Sequence, residues 1–134
     1  MGNNTPRGLR NNNPGNIRKN SDVFHGEVKS TDKEFKQFET MAYGYRAIFK
    51  ILQGYQKNYK LETISQMINR WAPANENHTG NYIRIVSDMS GIPAYDPIDT
   101  RDREQMIRIV SAMSYVENGV KANMTDVISG WNLL

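Results

Sequence analysis

Met41-Ala42-Tyr43-Gly44-Tyr45-Arg46-Ala47-Ile48-Phe49-Lys50-Ile51-Leu52-Gln53-Gly54-Tyr55-Gln56-Lys57-Asn58-Tyr59 carries the plainest periodicity in the chain. Met41, Tyr45, Ile48, Ile51, Leu52, Tyr55 and Tyr59 recur at spacings of three and four, so they share one stripe of a helix over residues 40–59. Thr40 can cap its start. An apolar stripe needs others to pack on, and the same spacing returns downstream. Ile64, Met67, Ile68 and Trp71 share a face of a helix over 62–72, which Pro73 helps to end. Tyr82, Ile83, Val86 and Met89 make the stripe of a helix over 79–90, closed by Gly91. Beyond a loop through Pro93 and Pro97, Asp99 or Thr100 caps a helix over 101–117. Its apolar face is Met106, Ile109, Val110, Met113 and Val116, and Asn118-Gly119 is its stop signal. A short last helix over 125–132 carries Val127, Ile128 and Trp131.

Upstream of the long helix the pattern changes. Residues 1–22 hold no helical or strand period, and Asn11-Asn12-Asn13-Pro14-Gly15-Asn16 is turn chemistry. Ile17 leads into a short extended segment. Residues 23–38 read as a small hairpin, with Val23-Phe24 and Phe35-Lys36-Gln37-Phe38 as β-formers around a Ser30-Thr31-Asp32-Lys33 turn. Five helices and one hairpin make a mainly α (α+β) domain, and no βαβ alternation supports a doubly wound sheet. A length of 134 residues suits a single domain, 1–134.

Composition removes several chemistries. There is no cysteine, hence no disulfide, thiolate zinc site or cysteine nucleophile. His25 and His78 are the only histidines, 53 positions apart, without HExxH or an EF-hand loop, so no metal is expected. No GxxxxGK[ST], GxGxxG or GxSxG is present, so neither a nucleotide site nor a serine triad is expected, and no cofactor is called for. The net charge of +3 favours polyanions such as teichoic acid, lipid headgroups or nucleic acid without choosing among them. The basic residues are spread along the chain, so no nucleic-acid partner is expected. Residues 1–18 are polar and do not resemble a signal peptide, and no run approaches the ~18 apolar residues of a membrane span. Access to an extracellular target would require a secretion machine, host lysis or packaging in a particle.

Among the carboxylates Glu117 stands apart. It lies four residues after Met113 and seven after Val110, on the apolar stripe of its helix. It also sits at the negative end of the helix dipole, which disfavours a carboxylate by roughly 0.3–1 kcal/mol. Burial and dipole together favour the protonated acid, as a general acid requires. The competing reading is an ion pair with Arg10 or Arg18. The second constellation is Trp71-Ala72-Pro73-Ala74-Asn75-Glu76-Asn77-His78-Thr79, with Tyr82 one turn on. Aromatic rings and amides at a cleft suit sugars, which offer apolar faces and many hydroxyls. The plainer alternative has Asn77 or Thr79 capping a helix and Trp71 filling the core.

Arg7-Gly8-Leu9-Arg10-Asn11-Asn12-Asn13-Pro14-Gly15-Asn16-Ile17-Arg18 resembles the opening signature of small phage and prophage proteins of the lysozyme-like superfamily, often labelled structural proteins. Trp71-Ala72-Pro73, then Glu76-Asn77-His78-Thr79 and Tyr82, resembles the middle motif of that group, and Glu117-Asn118-Gly119 its last one. More distantly, Asn12 to Arg18, Phe35 to Phe38 and Trp71-Ala72 to Tyr82 are similar in order to motifs of family 73 glucosaminidases and lytic transglycosylases. Those enzymes carry their catalytic Glu helix in front of these motifs, whereas residues 112–119 resemble that helix here at the back. The resemblance therefore implies a circularly permuted lysozyme-like domain. It implies Glu117 as general acid and base, and Tyr82 as the residue that orients the N-acetyl group or stabilises positive charge. Asn12, Asn13 and Asn16 would bind sugar hydroxyls or hold the loop at the cleft, with Glu76, Asn77 and Trp71 on the substrate. Glu27, Glu39 and Glu76 are the candidates for a second carboxylate. The implied partner is the glycan strand of peptidoglycan, reached from a virion or from host cytoplasm. The alternative is a non-catalytic virion or tail component in contact with other virion proteins.

Overall fold

The computed structural model describes residues 5–74 and 77–134. Among the described residues there are six helices and a two-stranded antiparallel sheet, a mainly α architecture with a small β element. The elements run α1 (Arg7–Arg10), β1 (Glu27–Val28), β2 (Gln37–Phe38), α2 (Met41–Tyr59), α3 (Ile64–Trp71), α4 (Thr79–Ser90), α5 (Arg103–Asn118) and α6 (Met124–Asn132).

α2 is the central beam. Ile48, Phe49 and Leu52 are fully buried, and Thr40 caps the helix by accepting from the Tyr43 N–H at 3.3 Å. α6 packs against it, with Trp131 edge-on to Phe49 at 5.2 Å between centroids. α4 and α5 pack together, burying Val86 against the Met106, Val110 and Met113 face. Gly91 and Gly119 end these helices with φ of 74° and 72°, a left-handed turn that glycine adopts without a Cβ penalty.

Several local expectations need correction. Arg7–Arg10 is a helical turn rather than coil; four residues are too few to show a period. The cap of α5 is Asp102, whose carboxylate accepts from the Gln105 N–H at 3.1 Å, and not Asp99 or Thr100. Neither Asn77 nor Thr79 caps α4: the cap position is His78, and Thr79 Oγ donates to the Ala72 carbonyl instead. Tyr59 and Met89, both assigned to apolar stripes, are exposed because each stripe runs past the edge of the core at its helix end. In the hairpin, Glu27–Val28 rather than Val23-Phe24 pairs with Gln37–Phe38, since Gly26 turns the chain at φ 78°. Phe24 folds back onto Phe38. Ile17 does lead into an extended segment: Arg18 bridges Phe35, and the Lys19 N–H donates to the Glu34 carbonyl at 2.9 Å.

Candidate active site

The Asn-rich segment is turned by its asparagines. Asn12 and Asn16 have φ of 51° and 49°, the left-handed region that Asn tolerates better than most residues. Asn13 is fully buried; its amide donates to the Ile17 and Lys36 carbonyls at 3.0 and 2.9 Å and its oxygen accepts from the Ile17 N–H at 2.9 Å. It holds the loop and is closed to a ligand. Asn12 likewise donates to the Phe38 carbonyl at 3.1 Å, tying the loop to β2. Asp32 clasps the same region. It accepts both Arg7 guanidinium bonds at 2.7 Å, the Asn11 amide at 3.1 Å, and the Glu34 and Phe35 N–H groups. These donors, with the Arg7 bonds foremost, hold its carboxyl far below the usual carboxylate range.

The end of α5 is set into this loop. Asn118, buried, donates to the Pro14 carbonyl and to the Ser114 carbonyl, both at 2.9 Å. Gly8 permits the fit: a Cβ there would lie 2.6 Å from Asn16 Oδ1 and 2.7 Å from Asn118 Oδ1. Glu117, one residue earlier and half-buried, turns its carboxylate to three donors. Tyr82 OH reaches Oε2 at 2.9 Å, Trp71 Nε1 reaches Oε2 at 3.2 Å, and Asn16 Nδ2 reaches Oε1 at 3.0 Å. The donors come from α4, α3 and the N-terminal loop. All three are neutral, and an ion pair with Arg10 or Arg18 is not formed: Arg18 pairs with Glu34 and Arg10 donates to the Thr5 carbonyl. Tyr82 is buried, and that burial, followed by the neighbouring Glu117 charge, holds its phenol well above its ordinary value. It is therefore a neutral donor throughout the physiological range. Trp71 is not simply core. It packs against the core and also presents its indole N–H to the carboxylate.

Glu117, Asn16, Trp71 and Asn77 line one open groove of about 1670 Å³. Asn12, Asn13 and Tyr82 do not line it; Tyr82 is buried behind Glu117 and holds the carboxylate rather than facing a sugar. Asn77 is exposed there and donates to the Pro73 carbonyl at 3.2 Å, while Glu76 lies outside the described residues. Glu27 is committed to Lys36, whose side chain is 1% exposed and whose Nζ meets both Glu27 oxygens at 3.1 and 3.0 Å. Glu39 is exposed and not among the groove residues. Among the described residues the second acid on the groove is Asp22, which lies in a polar stretch with no period to mark it. Lys50, Arg70 and Tyr59 also line the groove. Among the described residues no group of three or more His, Cys, Asp or Glu could hold a metal ion, and no helix is long and apolar enough to cross a membrane.

No family model matches the chain. It is 42% identical over 130 residues to Protein P5 of Pseudoalteromonas phage PM2, an alignment covering 94% of this chain and 79% of the phage protein. The few residues outside that alignment cannot reach Asn16 from one end or Glu117 from the other, so the whole site falls within it. The chain belongs to the family of phage PM2 Protein P5.

Proposed function

We propose that this phage-family protein cleaves the glycan strand of peptidoglycan, with Glu117 as its general acid and base. The observation that carries the reading is the convergence of Tyr82, Trp71 and Asn16 on one carboxylate at an open groove. Three donors from three segments fix where the carboxyl group points, which is what proton transfer to a bound oxygen demands. The lysozyme-like resemblance of the Asn-rich loop, the Trp71–Tyr82 region and the Glu117 helix adds the substrate class. It also adds the permuted order, in which the acid helix follows the loop it packs on.

In the first step the protonated Glu117 gives its proton to the glycosidic oxygen. The C1–O bond breaks, its electron pair stays with the departing oxygen, and C1 becomes oxocarbenium-like. The Glu117 carboxylate then takes a proton from the incoming nucleophile, which bonds to C1. Water as nucleophile gives a reducing end and a hydrolase; the sugar's own 6-hydroxyl gives an anhydro end and a lytic transglycosylase. Glu27 is paired to Lys36, which leaves Asp22 as the one described groove acid besides Glu117 that could serve a two-carboxylate route. Tyr82 and Asn16 keep the spent carboxylate aligned for the second transfer.

A second reading has its own support. A carboxylate already satisfied by three donors also works as a lock joining α3, α4, α5 and the N-terminal loop, as a non-catalytic virion component would need. Purified protein incubated with peptidoglycan sacculi should release soluble fragments whose masses identify anhydro or reducing ends. Glu117→Gln, which keeps the shape, should lower release by at least about a hundredfold. Fragment release by Glu117→Gln equal to the parent, or none by the parent, would favour the lock.

A further inference from the structure

Gly54 sits in the interior of the 19-residue α2, where glycine costs about 1 kcal/mol relative to alanine. Nothing inside the protein accounts for it. A Cβ at this position would meet only Asn58 Nδ2, at 3.8 Å. Gly54 does line the groove, with Lys50 one turn before it and Asn58 one turn after. From the last turn of α3, Arg70 stacks back onto α2, its guanidinium 3.7 Å from the centroid of the Tyr59 ring and 5.4 Å from that of Tyr55. Stacking holds the planar cation while leaving its N–H edge free to take a carboxylate in a bidentate grip. Among the described residues neither Arg70 nor Lys50 has an ion-pair partner. Tyr59, 53% exposed, is an apolar surface kept in a wet groove.

We propose that this α2 side of the groove, floored by Gly54 and gripped by Arg70 and Lys50, is a subsite for the carboxylate-bearing peptide stems that branch from a glycan strand. The inference rests on the glycan reading above and assigns a place to the part of the substrate that Glu117 does not touch. A bare helix face lets an extended chain approach the backbone closely. On the same groove Asn58 supplies an amide donor and acceptor, and Gln66, whose oxygen accepts from the Glu62 N–H at 2.7 Å, supplies its Nε2 donor, as a peptide requires. Arg46, the other groove cation without an ion pair among the described residues, is buried and donates to the Leu133 carbonyl at 3.2 Å, which leaves Lys50 and Arg70, too sparse a pair to follow a nucleic acid with its phosphate at every nucleotide. They suit a stem with one or two carboxylates.

The test is an NMR titration of the wild-type protein with two ligands, a disaccharide–peptide fragment of peptidoglycan and the same disaccharide freed of its peptide. The peptide-bearing ligand should bind about tenfold tighter and shift the Lys50 and Gly54 amides. Arg70→Gln should remove that advantage and leave the bare disaccharide within about twofold of the parent. Gly54→Leu should fold with an unchanged or higher thermal midpoint and lose the advantage as well. Equal affinity for the two ligands in the wild type, or an equal loss of both in Arg70→Gln, would overturn the subsite and leave glycan cleavage standing. Failure of both ligands to bind would remove the glycan reading and the subsite together. Tighter binding of a short DNA duplex than of either ligand would reassign the two cations to a polyanion.

Discussion

Tyr82 keeps its proton for the same reason that it can hold Glu117. Its ring is buried and its hydroxyl faces a carboxylate, so the phenolate is disfavoured first by desolvation and then by like charge. The folded protein therefore binds this proton more tightly than the unfolded chain does. The sign follows: the contribution to stability is complete below about pH 10, where tyrosine in the unfolded chain is still neutral, and is lost as pH rises above that value. Tyr45, buried and bonded to Ser114 at 2.7 Å, and Tyr55 are shifted the same way by burial. Urea midpoints measured between about pH 8 and pH 11 should thus fall on the alkaline side, and Tyr82→Phe should make the fall shallower without abolishing it. At neutral pH the same variant leaves Glu117 Oε2 with Trp71 as its remaining described donor and should cost about 1.5–3 kcal/mol. An unchanged alkaline slope in Tyr82→Phe would mean that the other tyrosines carry the effect.

The hairpin is an element held by polar anchors more than by its ladder. β1 and β2 pair over two residues each, too few to stand alone. Lys36 supplies what the ladder lacks: its buried Nζ donates to the Asp22 carbonyl at 2.6 Å and to both Glu27 oxygens, with the Phe24 ring 5.6 Å away. Lys36→Met removes one partner of this pair and should cost about 3 kcal/mol. Amide exchange at Lys19 and Phe38, whose N–H groups bond to Glu34 and Asn11, should quicken before exchange in α5 does. A loss below about 1 kcal/mol would show that Asp32 and the loop asparagines suffice. This also explains what the sequence could and could not tell. The helices were legible because their core faces repeat, so that Ile48, Leu52, Met67, Val86 and Met113 all lie where periodicity puts them. Tyr59 and Met89 were misread because periodicity marks a face but not where the core stops. Lys36 and Asp32 were invisible, since a single polar residue in a turn acquires meaning only from partners elsewhere in the chain. For Asn13 the family resemblance implies either sugar binding or holding the loop, and only the fold, which turns this amide inward onto Ile17 and Lys36, selects the second.

At the scale of the whole molecule, the site is a by-product of global packing. Asn16 and Glu117 are 101 residues apart in sequence, and Trp71 and Tyr82 stand between them on two further helices. Glu117 could be singled out because a carboxylate on an apolar stripe breaks a local rule, but its three donors come from elements whose mutual placement no local pattern encodes. The elements that supply them share one core: Ile17, Ile68, Ala72, Tyr82, Val86 and Met113 belong to a single buried cluster with α2 and α6. The site should therefore not melt separately from the domain. Trp71 and Trp131 are the two tryptophans, and Trp131→Phe preserves an edge-on ring against Phe49 while leaving Trp71 as sole fluorophore. In that variant the urea transition of Trp71 fluorescence should coincide in midpoint and slope with the loss of helical circular dichroism, as two probes of one cooperative unit do. Gly8→Ala then provides the contrast. Its methyl would press on Asn16 Oδ1 and Asn118 Oδ1, the seam between the loop and α5, at a cost of about 1–3 kcal/mol. If folding is one unit, both probes should shift together in Gly8→Ala. A Trp71 transition that moves ahead of the helical signal, with a shallower slope, would instead show that the N-terminal loop docks as a separate layer and that the Glu117 site opens without unfolding the helices.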